Sequence, residues 1–243
     1  MNNSKTPNAT AIIVAAGKGV RMQSDTRKQY MTLGARPVLS RTLQAFDRCP
    51  VIRKIYLVIP EADFQFCRDT ILPQGASATP VQLVSGGAER KDSVYNGLLA
   101  ADGRNEIVVI HDGVRPLIRP DQIEACVTAA AETGAGILAI PVKDTLKRVQ
   151  ADSVIEATVR RESLWAAQTP QAFEYDLILE AHQTQRDHAD GITDDAQLVE
   201  RMGRPVTIIP GSDLNLKITT PEDLALAEAI LSSGLIGEAD SWG

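Results

Sequence analysis

Short, continuously apolar runs recur along the chain, separated by stretches in which apolar residues return every three or four positions. The runs Ala11–Ala16 (AIIVAA), Ile55–Ile59 (IYLVI), Val81–Val84, Ile107–Ile110 (IVVI) and Ala135–Ile140 have the pattern of strands covered on both faces. Between them, Val38–Phe46, Asp63–Ile71, Ser93–Ala101 and Gln122–Thr133 read as helices, the third opened by Asp92 or Ser93 as N-cap. Short buried strands alternating with helices predict an α/β fold with a doubly wound, mostly parallel sheet.

The pattern changes after Pro141. Thr145–Val149 and Val154–Arg160 alternate polar and apolar around a turn at Gln150–Ser153. Val154, Glu156, Thr158 and Arg160 point one way, and Ile155, Ala157 and Val159 the other, so this is a two-sided hairpin. An isolated hairpin is marginal in water and must pack on something. A symmetric partner would cover its apolar face, making it a dimerisation arm; the alternative is an antiparallel edge of the main sheet. The expected organisation is one domain over residues 1–243, with an arm at about 142–165 inserted in it. A strand at Val206–Ile209, the segment DLNLKIT and a helix over Glu222–Leu231, capped by Thr220 with Pro221 at its first position, close the chain.

The balance of 25 basic against 31 acidic residues gives a net charge of −6, so no overall basic field draws in nucleic acid or an anionic membrane. Any phosphate ligand must then be met by local cations, which makes a clustered Lys or Arg informative. Cys49, Cys67 and Cys126 lack metal-ligand spacing and read as reduced, partly buried thiols. The polar start MNNSKTPNAT and the short apolar run after it suit neither a signal sequence nor a membrane span. The expected setting is cytoplasmic.

The first apolar run breaks on Gly17 and Gly19, with Arg21 and Lys28 just beyond. A strand ending in a glycine loop lets backbone N–H groups close on phosphate, and two cations suit a triphosphate. A dinucleotide loop would have a third glycine where Met22 stands, and a Walker loop would follow its lysine with Ser or Thr, not Gly19. An ordinary glycine-rich strand–helix turn remains the alternative.

Other candidates sit where carboxyl ends of strands are expected, the place at which open α/β sheets bind ligands. Asp112, after IVVI and His111, is a natural Mg²⁺ ligand or a plain turn aspartate before Gly113, and Arg115 favours the former. His111 reads as a packed strand-end histidine. Gly86 and Gly87, followed by Arg90, Lys91 and Ser93, form either a turn or a rest for a base or ribose, with Ser93 as donor. Asp213 and Lys217, four apart in an expected short strand, would share a side as a metal–phosphate pair or a surface ion pair. Thr193, Asp194 and Asp195, with Gln197 following, read as helix capping. His182 and His188 carry no recognisable partner.

Together, AAGKGVRM with KQY, SGGAERKDSV, VIHDGVRP, PVKDTLKRV, LWAAQTPQAF, ITDDA and NLKITTPEDLALAE closely resemble the 2-C-methyl-D-erythritol 4-phosphate cytidylyltransferase family of non-mevalonate isoprenoid biosynthesis, in order from about Ala11 to Ile230. The resemblance implies a fold of the nucleotide-diphospho-sugar transferase type and a homodimer whose arms cross between subunits. It implies CTP, Mg²⁺ and methylerythritol phosphate as reactants, and CDP-methylerythritol and pyrophosphate as products. By matching motif, Ala15, Ala16, Gly17, Gly19, Gly87 and Ser93 would hold CTP; Arg21 and Lys28 would meet its phosphates; Asp112 would bind Mg²⁺. Gly113 and Arg115 would line the acceptor side, Thr145 and Arg161 would reach the partner's sugar phosphate, and Asp213 and Lys217 would complete the reacting centre. The sequence departs from the family at Ala88, where an acidic residue is common, and at Arg27, where proline is common.

Such a transfer needs no general base, because the acceptor phosphate already carries a negative oxygen; the obstacle is repulsion between two anions. Two rivals stand beside it. A ribitol-5-phosphate cytidylyltransferase shares the loop and the NLKI block, and Val114 in HDGVRP leans that way. A non-catalytic nucleotide-binding dimer would have no reason to keep Lys28, Asp112 and Lys217.

Overall fold

The computed structural model describes residues 7–17, 27–76, 78–101, 107–185 and 191–236. Strand β1 (Ala9–Val14) is followed by the short pair β2 (Thr32–Leu33) and β3 (Arg36–Pro37), helix α1 (Val38–Asp47) and β4 (Ile52–Ile59). Then come α2 (Phe64–Phe66), α3 (Leu72–Gly75), β5 (Val81–Ser85), α4 (Arg90–Ala101), β6 (Ile107–Asp112), α5 (Pro120–Thr133) and β7 (Ala135–Pro141). The remainder is β8 (Leu146–Val149), β9 (Ile155–Val159), β10 (Trp165–Glu174), α6 (Tyr175–Thr184), α7 (Ala196–Arg201), β11 (Thr207–Pro210) and α8 (Pro221–Ser232).

Every residue of β1 is buried, so both its edges must be paired and both faces covered. Parallel neighbours take the edges: Val14 pairs with Val58 of β4 on one side and with Asp112 of β6 on the other. The seven-stranded sheet runs β11-β7-β10-β6-β1-β4-β5. Within this sheet of described strands, β10 alone runs antiparallel to both its neighbours. Helices cover both faces, as the alternating pattern predicts: Ile13 shares one apolar cluster with Leu43 of α1 and Val127 of α5, and Ile12 another with Leu98 of α4 and Ile178 of α6. A third apolar cluster seats α8 through Ala227 and Ile230 against Val114, Leu117 and Ile218. The Thr220 cap expected for α8 is present as a full capping box with Asp223.

Helix α4 lies directly on the sheet at Gly97. A Cβ there would sit 2.5 Å from Ile12 Cγ2 and 3.2 Å from Val58 Cγ2. Gly97→Ala should lower stability by about 1–3 kcal/mol, because overpacking on fixed strands outweighs the roughly 1 kcal/mol gained in helix propensity. A thermal melt measures this, and an unchanged or raised midpoint would contradict the packing.

Three local expectations are corrected, and one strand was not foreseen. The helix over Asp63–Ile71 is instead a 3₁₀ turn at Glu61–Asp63, then α2, a π turn at Cys67–Ile71, and α3. Pro73 explains the break: it has no N–H to give and its ring crowds the carbonyl four residues back, so the backbone widens before it. Helix α4 starts at Arg90, not Ser93. Asp92 caps it from inside the first turn by accepting the Glu89 N–H at 2.9 Å, and Ser93 Oγ accepts from Gly87 N at 3.0 Å. Residues 211–220 hold no strand, because β11 ends at Pro210 and a turn follows with Asn215 N donating to Ser212 O. Strand β10 has no counterpart in the hydrophobic pattern, since Gln168, Thr169, Pro170 and Gln171 interrupt its apolar run; these inward polar residues serve the site.

Strands β8 and β9 form a two-stranded sheet of their own, with Leu146 opposite Val159 and Arg148 opposite Ala157. The turn is at the expected place, closed by Gln150 N donating to Val154 O, and it is not an edge of the main sheet. Val149, Val154 and Ile155 are more than half exposed within one chain, at 55%, 55% and 59%.

Candidate active site

The parallel strands β1, β5 and β6 end at one edge of the sheet, and the segments leaving them converge on a cavity of about 640 Å³. Ala15, Ala16 and Gly17 line it from β1, Gly87 and Ser93 from the β5–α4 turn, and Asp112 from β6, with Lys28 and Lys217 reaching in. Sequence reasoning therefore assembled most of one wall. Gly19, Arg21 and His188 lie outside the described residues.

Gln29, buried and missed by motif reading, ties down the first loop by donating to Ala15 O at 2.8 Å and Gly17 O at 3.4 Å. The Gly-Gly pair is required by packing. A Cβ on Gly86 would stand 2.3 Å from Ala16 Cβ, and one on Gly87 2.2 Å from Asp92 Cβ. The bare Gly86 thus lets the two loops close on each other, and the bare Gly87 lets its own loop close on α4. Gly113 is also a packing glycine, with Ala15 Cβ 2.9 Å and Leu39 Cδ1 3.0 Å from a notional Cβ; its neighbour Val114 lines the cavity.

Asp112 is the centre of charge. Its Oδ1 accepts from Arg90 Nε at 3.0 Å, its Oδ2 meets Lys217 Nζ at 2.7 Å, and Arg115 Nε lies 4.0 Å from Oδ2. Burial alone would raise this carboxyl, but the Arg90, Lys217 and Arg115 charges outweigh it and hold Asp112 well below the usual carboxylate range. Burial likewise opposes the charge on Arg90, yet Asp195 and Asp112 overcome it and keep the guanidinium more firmly protonated than usual. Arg115 is steered by donating from Nη1 to Asn215 O at 2.7 Å, while its buried Nε has no hydrogen-bond partner.

His111 is a packed histidine, as expected, and has a positioning task. Burial lowers it to about 3, so it is neutral. The Arg115 carbonyl, 3.2 Å from Nε2, can only accept, so Nε2 carries the proton and Nδ1 accepts from Thr169 Oγ1 at 3.1 Å. The Thr169 oxygen in turn accepts the Asp112 N–H at 3.1 Å. Strand β10 thereby fixes the backbone of Asp112 from a position 57 residues away in sequence.

Three expectations about partners change. Asp213 does not share a face with Lys217: it pairs with Lys143 on the surface, while Lys217 turns inward to Asp112. Asp195 is not a capping residue. Asp194 does that work by accepting from Gln197 N at 3.1 Å, and Asp195, 1% exposed, accepts from Arg90 Nη1 at 2.7 Å. His182 does have partners: Asp195 Oδ1 at 3.3 Å from its Nε2, and the Tyr95 ring stacked at 6.2 Å. Thr145 and Arg161 are exposed beside the hairpin and line no part of the cavity within one chain.

A cavity with Lys28, Arg90 and Lys217 on its wall, Arg115 behind and Asp112 among them favours an anion with several phosphates; Glu89, also on the wall, is paired with Lys91 at 3.1 Å. Asp112 also fits a divalent cation. It is ionised, it faces the cavity, and each of its oxygens keeps a lone pair beyond its present bond. Among the described residues no group of three or more His, Cys, Asp or Glu is placed to hold a metal ion by itself.

Residues 9–233 match the family described as 2-C-methyl-D-erythritol 4-phosphate cytidylyltransferase. A protein of that name from Pelotomaculum thermopropionicum is 46% identical over 231 residues, covering 94% of this chain and 97% of its own. Another from Syntrophotalea carbinolica is 50% identical over 224 residues, covering 91% and 95%. Among solved structures, the 4-diphosphocytidyl-2C-methyl-D-erythritol synthase of Anaerococcus prevotii superposes with a TM-score of 0.82 at 35% identity, over 93% of this chain and 97% of that one.

Proposed function

The chain belongs to the 2-C-methyl-D-erythritol 4-phosphate cytidylyltransferase family, and from that premise we infer how its own residues carry cytidylyl transfer. The reaction joins an oxygen of methylerythritol 4-phosphate to the α-phosphorus of CTP and breaks the bond to the β-phosphate, giving CDP-methylerythritol and pyrophosphate. No proton need leave the attacking group. The observation that carries the assignment of roles is the ring of cations around Asp112 at the mouth of the glycine loops.

Ala15, Ala16, Gly17, Gly87 and Ser93 form the nucleotide side, where the close loop packing leaves backbone groups to meet the ligand. Lys28, with Arg21 of the same sequence segment, takes the triphosphate; Lys217 and Arg115 take the incoming phosphate. Their fixed charges offset repulsion in the crowded in-line transition state, and prior positioning removes the cost of reorganisation. Asp112 holds Lys217 and would hold Mg²⁺, which when bound withdraws charge from phosphate oxygens. The exposed apolar hairpin supports a homodimer, with Thr145 and Arg161 serving the partner's acceptor site. Three free, buried cysteines support a reducing, cytoplasmic setting. No described helix is long and apolar enough to cross a membrane.

Phosphorus NMR of a reaction with CTP, Mg²⁺ and methylerythritol 4-phosphate tests the chemistry: CDP-methylerythritol and pyrophosphate should rise in equal amounts. Release of CDP or CMP without a joined product would contradict it. The arm has a separate test. Lys28→Ala and Arg161→Ala subunits, each inactive alone, should regain turnover when mixed, since one site per mixed dimer then has both groups. No recovery after verified subunit exchange would remove the crossing arm.

A further inference from the structure

Behind the cavity wall, a second buried carboxylate is joined to the first through one guanidinium. Arg90 donates from Nε to Asp112 Oδ1 at 3.0 Å and from Nη1 to Asp195 Oδ2 at 2.7 Å. Asp112 faces the cavity, whereas Asp195 does not line it. A desolvated carboxylate is expensive unless it is paired, and Asp195 is paired chiefly with Arg90.

Asp195 is itself held rigidly. Its backbone N–H and that of Ala196 both donate to Gln171 Oε1 at 3.2 Å, and Gln171 Nε2 donates to Asp194 Oδ2 at 2.8 Å. Gln171 is on β10 opposite Ile110 of β6, so the clamp belongs to the same rigid sheet that carries Asp112. The remaining oxygen of Asp195 meets His182, whose ring rests on Tyr95 of α4, the helix that bears Arg90. Two separate elements thus converge on fixing where one side chain points. Capping of α7 needs none of this, because Asp194 already supplies it.

We propose that Asp195 is a positioning residue for cytidylyl transfer, acting through Arg90: it anchors the far side of the guanidinium so that Arg90 and Lys217 grip opposite oxygens of Asp112. The proposal rests on the cytidylyltransferase reading of the site. Without the anchor, Arg90 keeps a single ionic partner, its side chain can swing, and Asp112 loses its fixed orientation toward Lys217. Misplacement of a reacting constellation by about 1 Å costs up to ~100-fold in rate, while the glycine loops proposed to hold the nucleotide are anchored separately, by Gln29 and by Ser93.

The test is a double-mutant cycle with Asp195→Asn, Arg90→Gln and the charge-balanced double variant, read as kcat and KM for CTP beside melting temperature. Asp195→Asn should lower kcat about tenfold or more, with KM for CTP within about threefold. In the Arg90→Gln background the same change should lower kcat by less than about threefold, because the group it acts through is gone. If Asp195→Asn alone does not fold, the double variant against Arg90→Gln still decides the matter. Equal losses in both backgrounds, or a lower melting temperature with kcat kept, would overturn the proposal. Absence of wild-type turnover in the same assay would overturn the activity it rests on.

Discussion

Asp112→Asn should lower kcat by on the order of 10³-fold, at the upper end of what loss of one preorganised electrostatic contact costs. The change is nearly isosteric, so the effect is electrical. Arg90 Nε and Lys217 Nζ each lose an ionic acceptor, and Arg115 loses the negative charge 4.0 Å away. The amide also turns two hydrogens toward groups that can only donate. The cations then repel one another and reorient, and the site loses the carboxylate proposed to hold Mg²⁺. CTP binding should change far less, because the wall has become more positive. A split between kcat and the CTP dissociation constant, from turnover and calorimetry, is therefore the signature. A loss below about tenfold in kcat would place Asp112 outside the reacting centre.

Lys28→Ala should lower kcat by on the order of 10²-fold or more, since the lysine lines the same cavity as Asp112 and, in the role proposed for it, offsets charge that builds on the departing pyrophosphate. Its backbone position is secured independently: the 3₁₀ turn Lys28–Tyr30 is pinned by buried Gln29, and the Tyr30 hydroxyl donates to Asp63 at 2.9 Å. Truncation should thus leave the loop in place. A loss below threefold at saturating CTP and acceptor would exclude Lys28 from transition-state stabilisation.

What could be read from the chain, and what could not, follows from how local each signal is. The buried strands were legible because a strand segment covered on both faces carries an unbroken apolar run: Ala11–Val14 in β1, Ile55–Ile59 in β4 and Ile107–Ile110 in β6. Asp112 was legible because it ends such a strand. The glycine loops were legible as loops, although the packing contacts that require Gly86, Gly87 and Gly113 depend on neighbours far along the chain. Strand β10 was hidden because it trades apolar residues for Gln168, Thr169 and Gln171, which carry the hydrogen bonds that hold the site. The Arg90–Asp195 pair spans 105 residues and leaves no local trace beyond a carboxylate before a helix, a pattern that capping explains equally well. The Asp213–Lys217 pairing failed for a related reason: spacing assigns a shared side only if the segment is a strand, and a turn sends one side chain to Lys143 and the other to Asp112.

The central claim, transfer of a cytidylyl group to methylerythritol phosphate, is tested most directly by pyrophosphate release with CTP and Mg²⁺, comparing methylerythritol 4-phosphate with ribitol 5-phosphate in parallel. Turnover on the first, with none above background on the second, is the predicted result. Turnover on ribitol 5-phosphate alone, or on neither, would contradict it.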